Sequence, residues 1–315
     1  MKLLGNLDCE SHWAGVALPA AVQHRISLYA TLLASLAPDG DRSEIWVPAE
    51  VDPARLLAHP GWTPPVVRAP PAPPPDAFDL AWADPSAAAA NDRSRALAIA
   101  SELGVALPGA RVVASLAELD AHLGAFAGPW ICKARWTAAG RDRARGAGAL
   151  TGELRTRVTR MLARFGPLVF EPWLDRVVDL GVCGELTAGE VRLLEPHRIL
   201  TDPRGGFLGI ELAPGLDREL ADSLCAVARA AAGRLAAQTG YRGRFAIDAF
   251  VYRSPEHSAP RLHPLCEINA RHSFGWIAHA LARRLGARRL GFEARPPGAT
   301  VLIAPGPDRV TAWCA

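Results

Sequence analysis

The chain has 315 residues, of which 50% are hydrophobic, enough for one large core or two to three smaller ones that share an interface. Its net charge is only +3 and its basic residues are dispersed apart from a cluster near 133–145, which argues against a nucleic-acid or polyanion partner. Six cysteines stand without a CxxC pair, the amino terminus is too polar for a secretion signal, and no apolar run reaches membrane-spanning length. These features predict a globular, cytoplasmic protein with reduced thiols and no membrane partner.

Residues 1–90 read as an α/β unit. "KLLGNL", "EIWVPA" and "FDLAWA" are predicted strands, 19–37 is a predicted helix, and "APPAPPPD" at 69–76 is a surface connector that cannot join a ladder. Asn91 or Asp92 caps a predicted helix that Gly104 ends, and a second helix opens on a Ser115/Glu118 capping box. "PWICKARW" reads as a strand, 137–150 as a basic glycine-rich loop, "ELRTRVTRMLARFG" as a helix and "PLVFEPWL" as another strand. Strands joined by turns follow to about residue 202, then a helix from Leu216 to Gln238 stopped by Gly240.

The segments 243–253 and 261–270 read as an antiparallel hairpin. With the loop centred between His257 and Ser258, Asp248 falls directly opposite Glu267 and shares its face. Asn269 and Arg271 lie on that face, while Cys266, Ile268 and Ala270 are expected to point into the core. Opposed carboxylates need a cation, and two acids with a carboxamide oxygen suit Mg²⁺, with Mn²⁺ a second option. On the hairpin alone, a solvated polar strand face explains these residues equally well. A zinc set of His263, Cys266 and His272 is weaker because no fourth ligand is evident.

Four stretches in order, "ICKARWTAAGRDRARG", "VFEPWL", "FAID" and "CEINAR", resemble the ATP-grasp superfamily of ATP-dependent ligases. The resemblance implies an α/β (α+β) ATP-grasp fold: a preceding α/β domain at 1–90, a small subdomain with a glycine-rich lid at 91–170, and a large subdomain with the metal site at 171–315. It implies that Arg93, Lys133, Gly140, Arg141 and Gly146 attend the ATP phosphates. Glu171, Trp173 and Leu174 would meet adenine, and Asp179 the ribose. Asp248, Glu267 and Asn269 would hold the metal, and Arg271 with Lys133 would offset charge developing in the reaction. His197, Arg198, Arg204, Arg244, His272 and Ser273 are candidates to line the substrate site.

The implied reaction converts a small-molecule carboxylate to an acyl phosphate and joins it to an amine, releasing ADP and phosphate. An ATP-grasp kinase and a nucleotide-binding module without catalysis are the competing functions. A homodimer is the default expectation.

Overall fold

The computed structural model describes residues 1–38, 42–137, 142–203, 205–212, 215–254 and 257–315, with only the backbone at 257 and 258. Its first unit is a four-stranded parallel sheet made of β1 (Lys2–Leu4), β2 (Glu44–Trp46), β3 (Val66–Arg68) and β4 (Leu80–Ala81), in the order β3-β2-β1-β4. Strand order reverses between β1 and β4, and such a switch point leaves a crevice beyond the carboxyl ends of the strands. Asn6 bridges that crevice, since its amide donates to the Ala83 carbonyl (2.9 Å) and its oxygen accepts from the Ala83 N–H (3.1 Å). The short helix α1 (Cys9–Trp13) follows, with Cys9, Glu10 and Ser11 buried. The predicted 19–37 helix is α-helical only as α2 (Ala20–Ala30). It tightens into a 3₁₀ turn at Thr31–Leu36, where the Thr31 hydroxyl donates to the Leu28 carbonyl.

Helix α3 (Arg93–Glu102) is capped by Asp92, whose carboxylate accepts from the Ser94 N–H. A second, four-stranded antiparallel sheet then forms from β5 (Arg111–Val113), β6 (Pro129–Lys133), β7 (Arg143–Ala147) and β8 (Leu168–Pro172), in the order β5-β8-β6-β7. Helices α4 (Leu116–Ala125) and α5 (Gly152–Phe165) cover it around buried Trp130 and Phe170. The Ser115 hydroxyl accepts from the Glu118 N–H and the Glu118 carboxylate accepts from the Ala114 N–H, a close variant of the predicted box. Part of the predicted glycine-rich loop is instead β7, which pairs along the whole of β6.

The third sheet has nine strands, in the order β14-β13-β9-β11-β12-β15-β17-β16 with β10 on β9. In chain order they are β9 (Asp175–Leu186), β10 (Val191–Leu193), β11 (His197–Thr201), β12 (Phe207–Leu212), β13 (Gly243–Ser254), β14 (His257–Asn269), β15 (Arg289–Gly291), β16 (Thr300–Ile303) and β17 (Ala312–Cys314). Helix α6 (Arg218–Thr239) is capped by Asp217 and ends at Gly240 in the left-handed region (φ 72°). With α3 it covers one sheet face, packing on Leu180, Phe245, Ile247, Ile268 and Ala270. Helix α7 (Phe274–Leu285) covers part of the other face and shares a core with the first unit and with β16 and β17.

The hairpin of β13 and β14 pairs Asp248 with Glu267 as expected, although Ser254 pairs with His257, which rules out a loop centred between His257 and Ser258. Two bulges restore the register. Ser254 pairs with His257, Phe250 with His263, and Asp248 with Glu267, so β14 gains two residues on β13 at each irregularity. Pro264 lies in the second, where its missing N–H prevents a continuous ladder. This bulge also corrects a facing: Leu265 joins the helix-covered core with Ile268 and Ala270, while Cys266 turns to the opposite side beside Phe250 and Leu174.

Candidate active site

The uncovered part of that opposite face collects several perturbed charges. Asp248 lies half-buried across from Glu267, and its pKa is pushed up to about 7 by burial first and by the Glu267 carboxylate second. Asn269 hydrogen-bonds Asp248 through its side chain and gives its oxygen to Arg271 Nη2 at 2.7 Å. Glu267 accepts from Arg93 Nη2 at 2.9 Å. The donor set is therefore two carboxylates and one carboxamide at one edge of the face. Among the described residues no cluster of three or more acidic, His or Cys side chains exists that could hold a metal by itself. Two protein carboxylates completed by phosphate oxygens and water match what Mg²⁺ accepts. The Asn269 oxygen has two lone pairs, one of which accepts from Arg271.

Lys133, at the end of β6, reaches the same place. Its ammonium lies 2.5 Å from Glu171 Oε2 and 3.9 Å from Cys266 Sγ. Burial alone would lower its pKa, but Cys266 and Glu171 outweigh that and raise it. Glu171 shifts down for the complementary reason, because Lys133 overcomes its desolvation. The pair commits the Lys133 ammonium to a carboxylate and the Glu171 carboxylate to Lys133. The Trp173 N–H is likewise committed, donating to the Pro129 carbonyl at 2.9 Å. Leu174 packs instead with Phe250, Tyr252, Leu107 and Cys266 in a small apolar cluster. Arg145 stacks on Trp173 at 4.0 Å and Arg176 on Phe250 at 4.0 Å. Asp179 accepts from Arg176 at 2.8 Å and from the Thr201 hydroxyl at 3.2 Å, at the rim of this patch.

Arg93 is far more constrained than an arginine reaching for phosphate. It donates to the Ala134 carbonyl (2.9 Å), to the Thr137 hydroxyl (2.8 Å), to the Thr137 carbonyl and to Glu267. It ties the end of β6 to the acidic pair. Arg135 in turn clamps Asp92, so the first turn of α3 is bound to the same segment.

The remaining candidates divide. His197 is a correction: it is 2% exposed and neutral, its pKa pushed down to about 3 by burial, and it fills the room left by Gly181 and Gly275 under α7. A Cβ on either glycine would fall 2.5 Å from its ring. Arg198, the next residue along β11, pairs with Glu211 on β12 at 3.2 Å. Ser273 precedes α7 and contacts Cys183 Sγ at 3.4 Å. His272 holds the Ala81 carbonyl through Nδ1 at 2.8 Å and, with a pKa lowered to about 4 by burial and Arg244, presents bare Nε2 to Arg244 Nη1 at 2.9 Å. Arg244 also lies over Trp276 at 4.8 Å. Gly146 serves packing, because a Cβ there would meet Trp130 at 2.5 Å and Leu154 at 2.6 Å. Gly140, Arg141 and Arg204 lie outside the described residues.

The expectations missed Glu10, which comes from the first unit and binds Arg271 Nε at 3.0 Å and Nη2 at 2.5 Å. They also missed Thr137, Arg176 and Cys266 as neighbours of the site. No local pattern announces Glu10. Arg176 could have been found from its position between the predicted hinge and Asp179.

No family sequence model and no curated protein sequence matches the chain. Solved structures do match. N5-carboxyaminoimidazole ribonucleotide synthetase from Thermus thermophilus aligns with a TM-score of 0.55 at 15% identity, over 99% of this chain and 92% of that one. Carboxyaminoimidazole ribonucleotide synthase from Aspergillus clavatus, complexed with ATP, aligns at 0.56 and 14% identity over 100% and 93%. Biotin carboxylase from Campylobacter jejuni aligns at 0.58 and 12% identity over 95% and 78%. At such identities the likeness establishes architecture: the chain has the ATP-grasp fold.

Proposed function

From the ATP-grasp fold as premise, we propose that this chain is an ADP-forming ligase that activates a small-molecule carboxylate as an acyl phosphate and joins it to an amine. The observation that carries this reading is the convergence of Lys133, Arg93 and Arg271 on the end of β14 at Cys266, Glu267 and Asn269, beside the opposed carboxylates of Asp248 and Glu267. The structural neighbours include enzymes with bound ATP or ADP, and one with MgADP, in keeping with that chemistry.

Asp248, Glu267 and Asn269 would hold Mg²⁺, which when bound would offset phosphate charge. The apolar patch of Leu174, Phe250 and Cys266 would receive the base, with the Leu174 N–H available to it and Arg145 and Arg176 fixing the patch walls. Lys133 would turn from Glu171 toward phosphate oxygens, and Arg271 would steady the charge that develops on the transferring group. No nucleophilic side chain is needed, because positioning and electrostatics supply the catalysis. Its substrates would be free metabolites, with a homodimer as the working assembly. No helix among the described residues is long and apolar enough to cross a membrane.

The test is a phosphate-release screen of paired carboxylates and amines with MgATP, followed by mass spectrometry of hits. Glu267→Gln is expected to lower turnover by about 10² or more. Unchanged turnover in that variant on an active pair would sink the assignment. A phosphorylated product formed without an amine would instead mark a kinase.

A further inference from the structure

The Arg271 fork is occupied. Glu10 Oε1 accepts from both Nε (3.0 Å) and Nη2 (2.5 Å), while Asn269 Oδ1 shares Nη2 and the His272 carbonyl takes Nη1 at 3.1 Å. Glu10 is buried and Arg271 largely so, with side chains 6% and 12% exposed. A guanidinium edge facing a carboxylate is the arrangement by which arginine binds carboxylate and phosphate ligands. Here the carboxylate belongs to the chain and arrives from α1, at the mouth of the crevice between β1 and β4 where a ligand is expected. The same contact ties the first α/β unit to the end of β14.

We infer that Glu10 is a built-in stand-in for the acyl substrate: its carboxylate fills the Arg271 fork in the free protein, and an incoming oxyanion must displace it. This rests on the ligase reading only in taking Arg271 as the group that meets the oxyanion of the activated substrate. The consequence is selection. A ligand must offer an oxyanion able to outcompete a tethered carboxylate, and its binding loosens α1 from Arg271, so occupancy of the fork is reported to the first unit. A neutral analogue with the same skeleton gains nothing from the fork and leaves Glu10 in place.

The alternative is that Glu10 permanently orients Arg271, and the two roles move anion affinity in opposite directions. Inorganic phosphate is titrated calorimetrically into the full chain, with and without saturating MgADP, for wild type, Glu10→Gln, Glu10→Asp and Arg271→Met. Glu10→Gln keeps the shape but removes the charge, and Glu10→Asp keeps the charge but withdraws it by one methylene. Both are expected to bind phosphate at least about ten-fold more tightly than wild type, a difference of about 1.4 kcal/mol, and the double variant with Arg271→Met is expected to lose that gain. Unchanged or weaker phosphate binding in whichever Glu10 variant folds overturns the inference. So does a gain that survives loss of Arg271. Failure of the wild type to bind MgADP would count against the ligase reading, whereas the nucleotide-free titration still decides the role of Glu10.

Discussion

Replacing Asp248 by Asn should have opposite effects on stability and on nucleotide binding. In the metal-free protein Asp248 faces Glu267 directly across the hairpin, and its carboxyl is pushed up to about 7 by burial and by that neighbour. Side chains so opposed stand about 5 Å apart. At an effective dielectric near 20 their repulsion is about 3 kcal/mol. Arg93 bound to Glu267 offsets part of this. Asp248→Asn is therefore expected to raise the unfolding free energy in EDTA by about 1–3 kcal/mol at pH 8. A carboxyl with a raised folded-state pKa binds its proton more tightly in the folded chain, so stability falls as pH climbs from the unfolded value near 4 through about 7. The gap between variant and wild type should thus be closed near pH 4 and fully open above pH 7. Urea unfolding across that range measures it, and the same samples with MgADP should show stabilisation of wild type only. A variant less stable than wild type in EDTA at pH 8, or one still stabilised by MgADP, would refute the reasoning.

Lys133→Met leaves Glu171 buried without its cation, which should destabilise the protein by about 3–5 kcal/mol, whereas Lys133→Met with Glu171→Leu should recover most of that loss in urea melts without recovering MgADP binding. Gly146→Ala should cost about 1–3 kcal/mol through the clash with Trp130 and Leu154, with MgADP affinity by calorimetry unchanged in the folded fraction. Arg271→Lys keeps the charge but loses the fork, so once an active substrate pair is known its kcat should fall by about 10² with little change in MgADP affinity.

The ATP-grasp architecture was legible through the resemblance of four ordered motifs to that superfamily, and the strands, helices and caps were legible because they depend on neighbours within a few residues. The Asp248–Glu267 pairing was legible for a less secure reason: the turn was misplaced, and the two bulges happen to return the strands to the expected register. The facing of Cys266 exposes the difference, since one bulge reverses the alternation on which strand readings depend.

Which cation serves which acid was not legible. Arg93 looked like a phosphate ligand and holds Glu267 and Thr137, and His197 looked like a substrate residue and fills the hollow above Gly181 and Gly275. The sequence by itself determined the parts: strands, caps, the acidic hairpin and the basic side chains available to it. Tertiary structure alone decided the partnerships, because Glu10 and Arg271 meet only after separate units pack, Lys133 and Glu171 only once β6 pairs with β8, and burial then forces each charge onto whichever opposite charge is in reach.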